Sequence, residues 1–310
     1  MVDVDRFRGC FIGLAAGDAL GTTVEFSLPG TFEPVKDIVG GGVFELEPGQ
    51  WTDDTSMALC LMESLNQSAG FDPEDQMKRY LKWFRDGHLS STGACFDIGN
   101  ATRTALMQFE RTRFPYCGST DVHSAGNGSI MRLAPIAMYY AEEPALAVEF
   151  AERSSRTTHG AAECVDACSV MAAIMVAGLQ GATKGQMTDP ILYGQWTQDR
   201  KLSARVAEVA GGSYKRKEPP AIQGTGYVAK SLEAAMWAFN KSSSFEEGAL
   251  LAVNLGDDAD TTGAVYGQIA GSYYGYSGIP GKWTSKLAKK DLIDRYVEEL
   301  YMKSRKIGTD

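Results

Sequence analysis

Apolar residues recur at intervals of three and four along most of the chain, and that spacing predicts helices. The segments run over about 4–20, 54–67, 74–86, 97–110, 129–141, 145–156, 160–180, 222–240, 245–255, 261–275 and 287–304. Period-two alternation is scarce. Only Pro34 to Phe44 hints at extended chain, and Gly40-Gly41-Gly42 interrupts it. The pattern predicts an all-α protein with long connecting loops. The most linker-like stretch is Gly211 to Ala221, but helical patterning resumes at once, so it reads as a surface loop and residues 1–310 as one domain. Two predicted helices carry glycine every fourth residue: Gly9, Gly13, Gly17 and Gly21 in one, Gly263, Gly267, Gly271 and Gly275 in the other. Such spacing aligns the glycines on one face. Each glycine costs a helix about 1 kcal/mol relative to alanine. Stripes that costly predict two buried helices whose backbones touch.

Composition narrows the class. The 310 residues carry a net charge of -9, which makes a nucleic-acid backbone a poor general partner. No apolar run approaches the ~20 residues of a membrane span, and the acidic N-terminus does not read as a secretory signal. The six cysteines, Cys10, Cys60, Cys95, Cys117, Cys164 and Cys168, sit mostly among apolar neighbours, as reduced and packed thiols do. The expectation is a cytoplasmic monomer.

Seven carboxylates gather in three short segments. Asp18 and Glu25 flank the end of the first glycine helix, Asp53 and Asp54 stand in Thr52-Asp53-Asp54-Thr55, and Asp257, Asp258 and Asp260 open the second glycine helix. Helix capping alone would explain any one of these motifs. All three packed together would repel one another unless a cation lay between them. Carboxylates with hydroxyls beside them suit Mg²⁺ or Mn²⁺, and the absence of His and Cys from these clusters argues against zinc. If 52–55 meets 258–261, the oxygens suffice for a two-metal site.

With Gly17-Asp18-Ala19-Leu20-Gly21, Glu25 and Thr52-Asp53-Asp54-Thr55, the chain also carries Asp97-Ile98-Gly99-Asn100 and Gly126-Asn127-Gly128-Ser129-Ile130-Met131-Arg132. Thr158-His159, Gly224-Thr225-Gly226-Tyr227-Val228 and Gly256-Asp257-Asp258-Ala259-Asp260-Thr261 follow. In this order they resemble the ADP-ribosylglycohydrolases over nearly the whole chain, most closely the dinitrogenase reductase-activating branch. The resemblance implies an orthogonal helical bundle around a binuclear metal site. It assigns one cation to Thr52, Asp53, Asp54 and Asp260 and the other to Asp258, Asp260 and Thr261, with Asp260 shared. It places Glu25 at the mouth of that site and Asp18 and Asp257 behind the ligands. Glu25 and Asp54 are the acid–base candidates.

The remaining motifs fall on the substrate side. A glycine-rich turn entering a helix presents N–H groups to an anion; Ser124, Gly126, Asn127 and Gly128 form such a turn. The resemblance implies that this turn cradles a diphosphate and that His159 and Gly226-Tyr227 also contact ADP-ribose. Asp97 and Asn100, three apart, would share a helical face, with Asp97 facing a guanidinium. The implied activity is removal of ADP-ribose from arginine side chains of a modified protein, nitrogenase iron protein in the branch named, with ADP-ribose as product. Rival readings are another ADP-ribose linkage (serine-linked, O-acetyl or nucleic-acid base), a non-catalytic ADP-ribose binder, a two-metal phosphatase, and a zinc site from His159, Cys164 and Cys168. The segment Phe114 to Gly118 has no assigned place.

Overall fold

The computed structural model describes residues 2–196 and 201–307; the few other positions of the 1–310 domain expectation lie outside them. Fourteen α-helices occur among the described residues, joined by long loops and short 3₁₀ turns. In chain order they are α1 (Val4–Gly21), α2 (Asp53–Ser68), α3 (Pro73–Asp86), α4 (Asn100–Thr112), α5 (Ala134–Tyr139), α6 (Pro144–Arg156) and α7 (Ala162–Leu179). Then follow α8 (Lys184–Met187), α9 (Ala204–Ala210), α10 (Val228–Lys241), α11 (Phe245–Val253), α12 (Ala259–Tyr274), α13 (Gly281–Thr284) and α14 (Lys290–Ser304). No strand forms among the described residues, only isolated bridges, one of which joins Gly41 to Leu46 beyond the glycine run.

The two glycine helices form the centre. They run antiparallel: Gly9 meets Gly271 and Gly275, Gly13 meets Gly267, Gly17 meets Gly263, and Gly21 meets Ala259 and Asp260. A methyl group added to any of these eight glycines except Gly275 would overlap backbone of the partner helix; at Gly275 it would meet the Asp5 carboxylate. Glycine's conformational cost in α1 and α12 is therefore exchanged for backbone contact that no other residue permits. The contact fixes the ends as well as the middle. It sets the C-terminal end of α1, with Asp18, beside the N-terminal end of α12, with Asp260.

α7 packs against α1, α5, α6, α10 and α12. Its 18 residues have a mean hydropathy of 1.7, enough by length and composition to cross a membrane, but 89% of them are buried inside the protein. Burial on every side accounts for a run the sequence reading placed below membrane length.

One predicted helix is cut short. Residues 126–133 form turns, and α5 spans only Ala134–Tyr139 of the expected 129–141. The cause is Gln268 of α12, fully buried. Its Nε2 donates to the Ile130 and Met131 carbonyls at 3.1 and 2.7 Å, and its Oε1 accepts from Ala134 N at 2.7 Å. One side chain thus satisfies backbone groups that a helix would otherwise pair internally. The 211–221 segment packs on α10: Tyr214 is buried and Trp237 Nε1 donates to Glu218 at 3.1 Å.

Candidate metal centre and substrate cavity

Thr52 and Asp258 occupy the N-cap positions of α2 and α12, yet neither side chain makes a capping hydrogen bond. For α2 the cap comes from another helix. Asp18 accepts from Thr52 N at 2.9 Å and Thr55 N at 3.0 Å, and from the Thr52 and Thr55 hydroxyls at 3.0 and 2.6 Å. Four donors hold this buried carboxylate, although burial still pushes its pKa up to about 6. Because Asp18 serves the helix end, the Thr52, Asp53 and Asp54 side chains are released from capping and face the acidic ends of α1 and α12.

There the expected ligands converge. Thr52 Oγ1 lies 3.2 Å from Asp54 Oδ2 and 3.1 Å from Asp260 Oδ2, and Thr261 Oγ1 lies 3.4 Å from Asp54 Oδ2. Asp258 reaches Thr261 and Asp260, and its Oδ2 accepts from Asn127 Nδ2 at 2.8 Å. A backbone clamp adds Glu25: Phe26 N donates to Asp257 O at 2.7 Å, and Asp257 N donates to Ser27 O at 2.8 Å. Phe26, Asp97 and Asp257 all hold positive φ, at 59°, 56° and 57°. Non-glycine residues with positive φ are uncommon, and three of them border one site.

Asp97 and Asp257 are placed differently from the sequence reading, and Asp54 and Glu25 are separated by burial. Asp97 precedes α4 at positive φ, so it shares no helical face with Asn100. It joins the carboxylate cluster instead, with one oxygen each of Glu25, Asp97 and Asp260 lying within 4.8 Å of one another. Asp257 acts through its backbone, and its side chain is exposed. Asp54 is fully buried and does not line the cavity, whereas Glu25 does.

The electrostatics match a cation site. Glu25 Oε2, Asp54 Oδ1 and Asp260 Oδ1 are buried without a hydrogen-bond partner. Burial, then repulsion from Asp97, Asp258 and Asp18, pushes Glu25 up to about 10. Burial and the neighbouring acids push Asp97 up to about 7, and Asp53, Asp54 and Asp260 well above the carboxylate range. Orphaned buried acid oxygens are costly, and a hard divalent cation satisfies them. The residues present fit such an ion. Among the described residues, this is the acid, His or Cys grouping close enough to share one.

The cluster forms one wall of a cavity of about 280 Å³. Glu25, Asp53, Asp258 and Thr261 line that wall, with Asp97 and Asn100 at its edge. Gly126, Asn127, Gly128, His159 and Gly226 face them. Asn127 N donates to Gly226 O and Val228 N to Ala125 O, both at 3.0 Å, so the two glycine segments are paired along the opposite wall. The 126–128 turn does not enter a helix directly, and two of its N–H groups are taken, Gly126 N by Ser124 O at 2.9 Å and Asn127 N by Gly226 O at 3.0 Å. A wider groove continues past Asn100 and Gly126, bordered by Ser124, Tyr227 and residues 116–120. Ser124 and Tyr227 belong to this outer groove. The Ser124 hydroxyl bonds Asp121 O at 2.7 Å, and the Tyr227 hydroxyl bonds Glu163 Oε2 at 2.7 Å.

The segment from Phe114 to Gly118 finds its place here. Cys117 N and Gly118 N donate to Thr157 O and Arg156 O at 3.2 and 3.1 Å, which clamps the chain leading to His159. Cys164 Sγ points to Gly126 O at 3.2 Å and Cys168 Sγ to Ser129 Oγ at 3.3 Å. Both thiols are buried in packing and bonded to oxygen, which leaves the zinc reading without support. No residue pattern in the sequence marked Phe26, which is 60% exposed at the mouth.

An all-α bundle with an oxygen-lined cation site facing a glycine-rich wall defines a class of metal-assisted hydrolases. The sequence profile of the ADP-ribosylglycohydrolases matches residues 2–309, and the chain belongs to that family. ADP-ribosylarginine hydrolase Tri1 of Pseudomonas putida (strain GB-1) is 43% identical over 298 residues, 96% of this chain and 78% of that protein. The ADP-ribosyl-[dinitrogen reductase] glycohydrolase of Rhodospirillum rubrum is 31% identical, covering 92% of this chain and 91% of its own. A solved structure described as an ADP-ribosylglycohydrolase-related protein complex superposes with a TM-score of 0.86 at 45% identity, covering 97% and 98% of the two chains.

Proposed function

We infer that this protein is an ADP-ribosylarginine hydrolase, cleaving the N-glycosidic bond between ADP-ribose and an arginine side chain of a modified protein. One observation carries the reading: the carboxylates of Glu25, Asp53 and Asp258 face the Gly126–Gly128 turn and His159 across a single cavity, with unpartnered acid oxygens at and behind the acidic wall. The arginine linkage is supported by the name of the Pseudomonas relative and of a second Tri1, from Serratia proteamaculans (strain 568), 41% identical over 96% of this chain.

Thr52, Asp53, Asp54, Asp258, Asp260 and Thr261 are the proposed ligands of two divalent cations, Mg²⁺ or Mn²⁺. Bound there, such ions supply positive charge that orients ribose hydroxyls and water. Glu25 is the acid–base group, because it lines the cavity and holds a proton readily. A guanidinium has a pKa above about 12, and Asp97 at the cavity edge keeps the departing group paired and protonated. Positive charge developing on the sugar is stabilised by the surrounding carboxylates. Gly126, Asn127, Gly128 and His159 anchor the diphosphate, so that binding energy remote from the reacting carbon positions it. The outer groove past Ser124 and Tyr227 takes the rest of the nucleotide. The reading takes the chain as a cytoplasmic monomer, and the Rhodospirillum relative nominates nitrogenase iron protein as a target.

The test is release of ADP-ribose from arginine-modified and serine-modified proteins, with Mg²⁺, with Mn²⁺ and with EDTA. Metal-dependent release from the arginine substrate is expected. Release from the serine substrate alone would move the assignment to another linkage, and no release from either would leave a binder.

A further inference from the structure

Arg132 is 1% exposed and, among the described residues, has no carboxylate partner. Its guanidinium sits over the Tyr80 ring, 4.6 Å from the centroid. Nη1 donates to the Gly128 carbonyl at 2.8 Å and Nη2 to Thr158 Oγ1 at 2.6 Å. A buried cation without a counter-ion is costly. Packing alone does not explain why one is spent on a hydroxyl and a loop carbonyl.

The answer lies one bond further on. Thr158 Oγ1 is 2.8 Å from His159 Nδ1. A guanidinium can only donate, so the Thr158 oxygen accepts from Arg132. The hydroxyl could accept a second time from an Nδ1–H, but its own proton would then have no acceptor among the described residues; donating it to His159 leaves no buried group unpaired. Nδ1 is therefore the acceptor, and the proton of a neutral imidazole resides on Nε2. The Nε2 side of the ring lies against the glycine turn. A methyl group at Gly128 would come within 2.7 Å of Cε1 and 3.0 Å of Nε2, and one at Gly126 within 3.5 Å of Nε2. Both glycines keep that edge of the ring open to the cavity that His159 lines.

We propose that Arg132 and Thr158 are positioning residues that lock His159 as the Nε2–H tautomer, making it a neutral, fixed hydrogen-bond donor to an anionic oxygen of the ligand held against Gly126 and Gly128. Burial and the Arg132 charge also push the His159 pKa down to about 3, so the ring stays neutral at ordinary pH. Arg132 holds both sides of the same subsite at once, through the Gly128 carbonyl on the turn and through Thr158 on the histidine. A phosphate oxygen is the ligand chemistry that a neutral N–H beside the Gly126–Gly128 turn recognises. Naming it as part of ADP-ribose rests on the function proposed above.

The experiment reads the tautomer directly, by long-range ¹⁵N–¹H NMR on the free protein, and then titrates ADP-ribose by calorimetry. Wild type is expected to show His159 protonated at Nε2. Thr158→Val keeps the shape but removes the hydroxyl, so the ring should shift toward Nδ1–H and ADP-ribose should bind about tenfold more weakly. Thr158→Ser should restore both readouts, which separates a relay from a packing role. A wild-type ring protonated at Nδ1 or at both nitrogens overturns the proposal, as does Thr158→Val with tautomer and affinity unchanged. A wild-type Nε2–H ring in a protein that does not bind ADP-ribose upholds the lock and overturns the ADP-ribose reading alone.

Discussion

Thr52 Oγ1 lies 3.1 Å from Asp260 Oδ2, across 208 positions of sequence. The two helix starts that carry them are held at this distance by Asp18, which binds the end of α2, and by the glycine contact between α1 and α12. The hydroxyl has one proton for three carboxylates, Asp18, Asp54 and Asp260, and Asp260 Oδ1 is buried with no hydrogen-bond partner. The cluster offers a divalent cation unpartnered acid oxygens.

Asp260→Asn should remove metal binding and lower ADP-ribose release by at least about 10³-fold. In EDTA the same variant should melt no lower than wild type, because it replaces a buried acid whose ionisation burial and its neighbours oppose with a neutral amide. Calorimetric metal titration and thermal melts with and without chelator check both halves. A variant that melts lower in EDTA would mean Asp260 has a structural bond beyond those described.

Metal should stabilise this protein more as pH rises. The raised pKa values of Asp18, Asp97 and Glu25, about 6, about 7 and about 10, mean that the folded, metal-free chain holds protons the unfolded chain releases near pH 4. Their contribution to stability is complete below pH 4 and is lost as pH climbs through 6, 7 and 10. A cation displaces those protons, so affinity should increase by up to about tenfold per pH unit for each proton released. Melting temperatures with Mn²⁺ and with EDTA, compared at pH 5.5 and pH 8, give the sign. A gap that narrows at pH 8 would contradict it.

Gly17→Ala should destabilise the fold by about 3 kcal/mol or more, since the new methyl group meets the Gly263 backbone rather than a side chain that can turn away. Gly194→Ala, with open space around it, should change stability by less than about 0.5 kcal/mol. Urea melts of the two variants measure the contrast.

Asn127→Ala removes the amide that donates to Asp258 Oδ2 at 2.8 Å. This bond ties the glycine turn to the acidic wall, so KM for the modified protein should rise about tenfold while metal affinity falls less than threefold. Initial-rate kinetics with a parallel metal titration distinguish this from loss of the metal centre.

The helical period and the two glycine stripes were legible in the chain because both are local patterns with a mechanical meaning. Spacing of four places glycines on one face, and so much missing side chain requires a neighbour's backbone. The carboxylate clustering was legible for a similar reason: capping needs one such residue per helix, and the chain carries more. The 129–141 helix was misread because the competing hydrogen bonds come from Gln268, far away in sequence. Asp97 was placed on a helix because spacing alone does not reveal a positive φ.

The sequence by itself determined which stretches coil, which two helices could touch, and which oxygens were available. Those properties follow from side-chain type and period. The tertiary structure decided that Asp18 caps α2 in place of Thr52, that Asp97 turns into the acidic cluster, that Asp54 lies behind the wall while Glu25 lines it, and that Arg132 reaches His159 through Thr158. Each depends on the direction of a side chain relative to another segment. That direction is set by packing between helices, which no local spacing records.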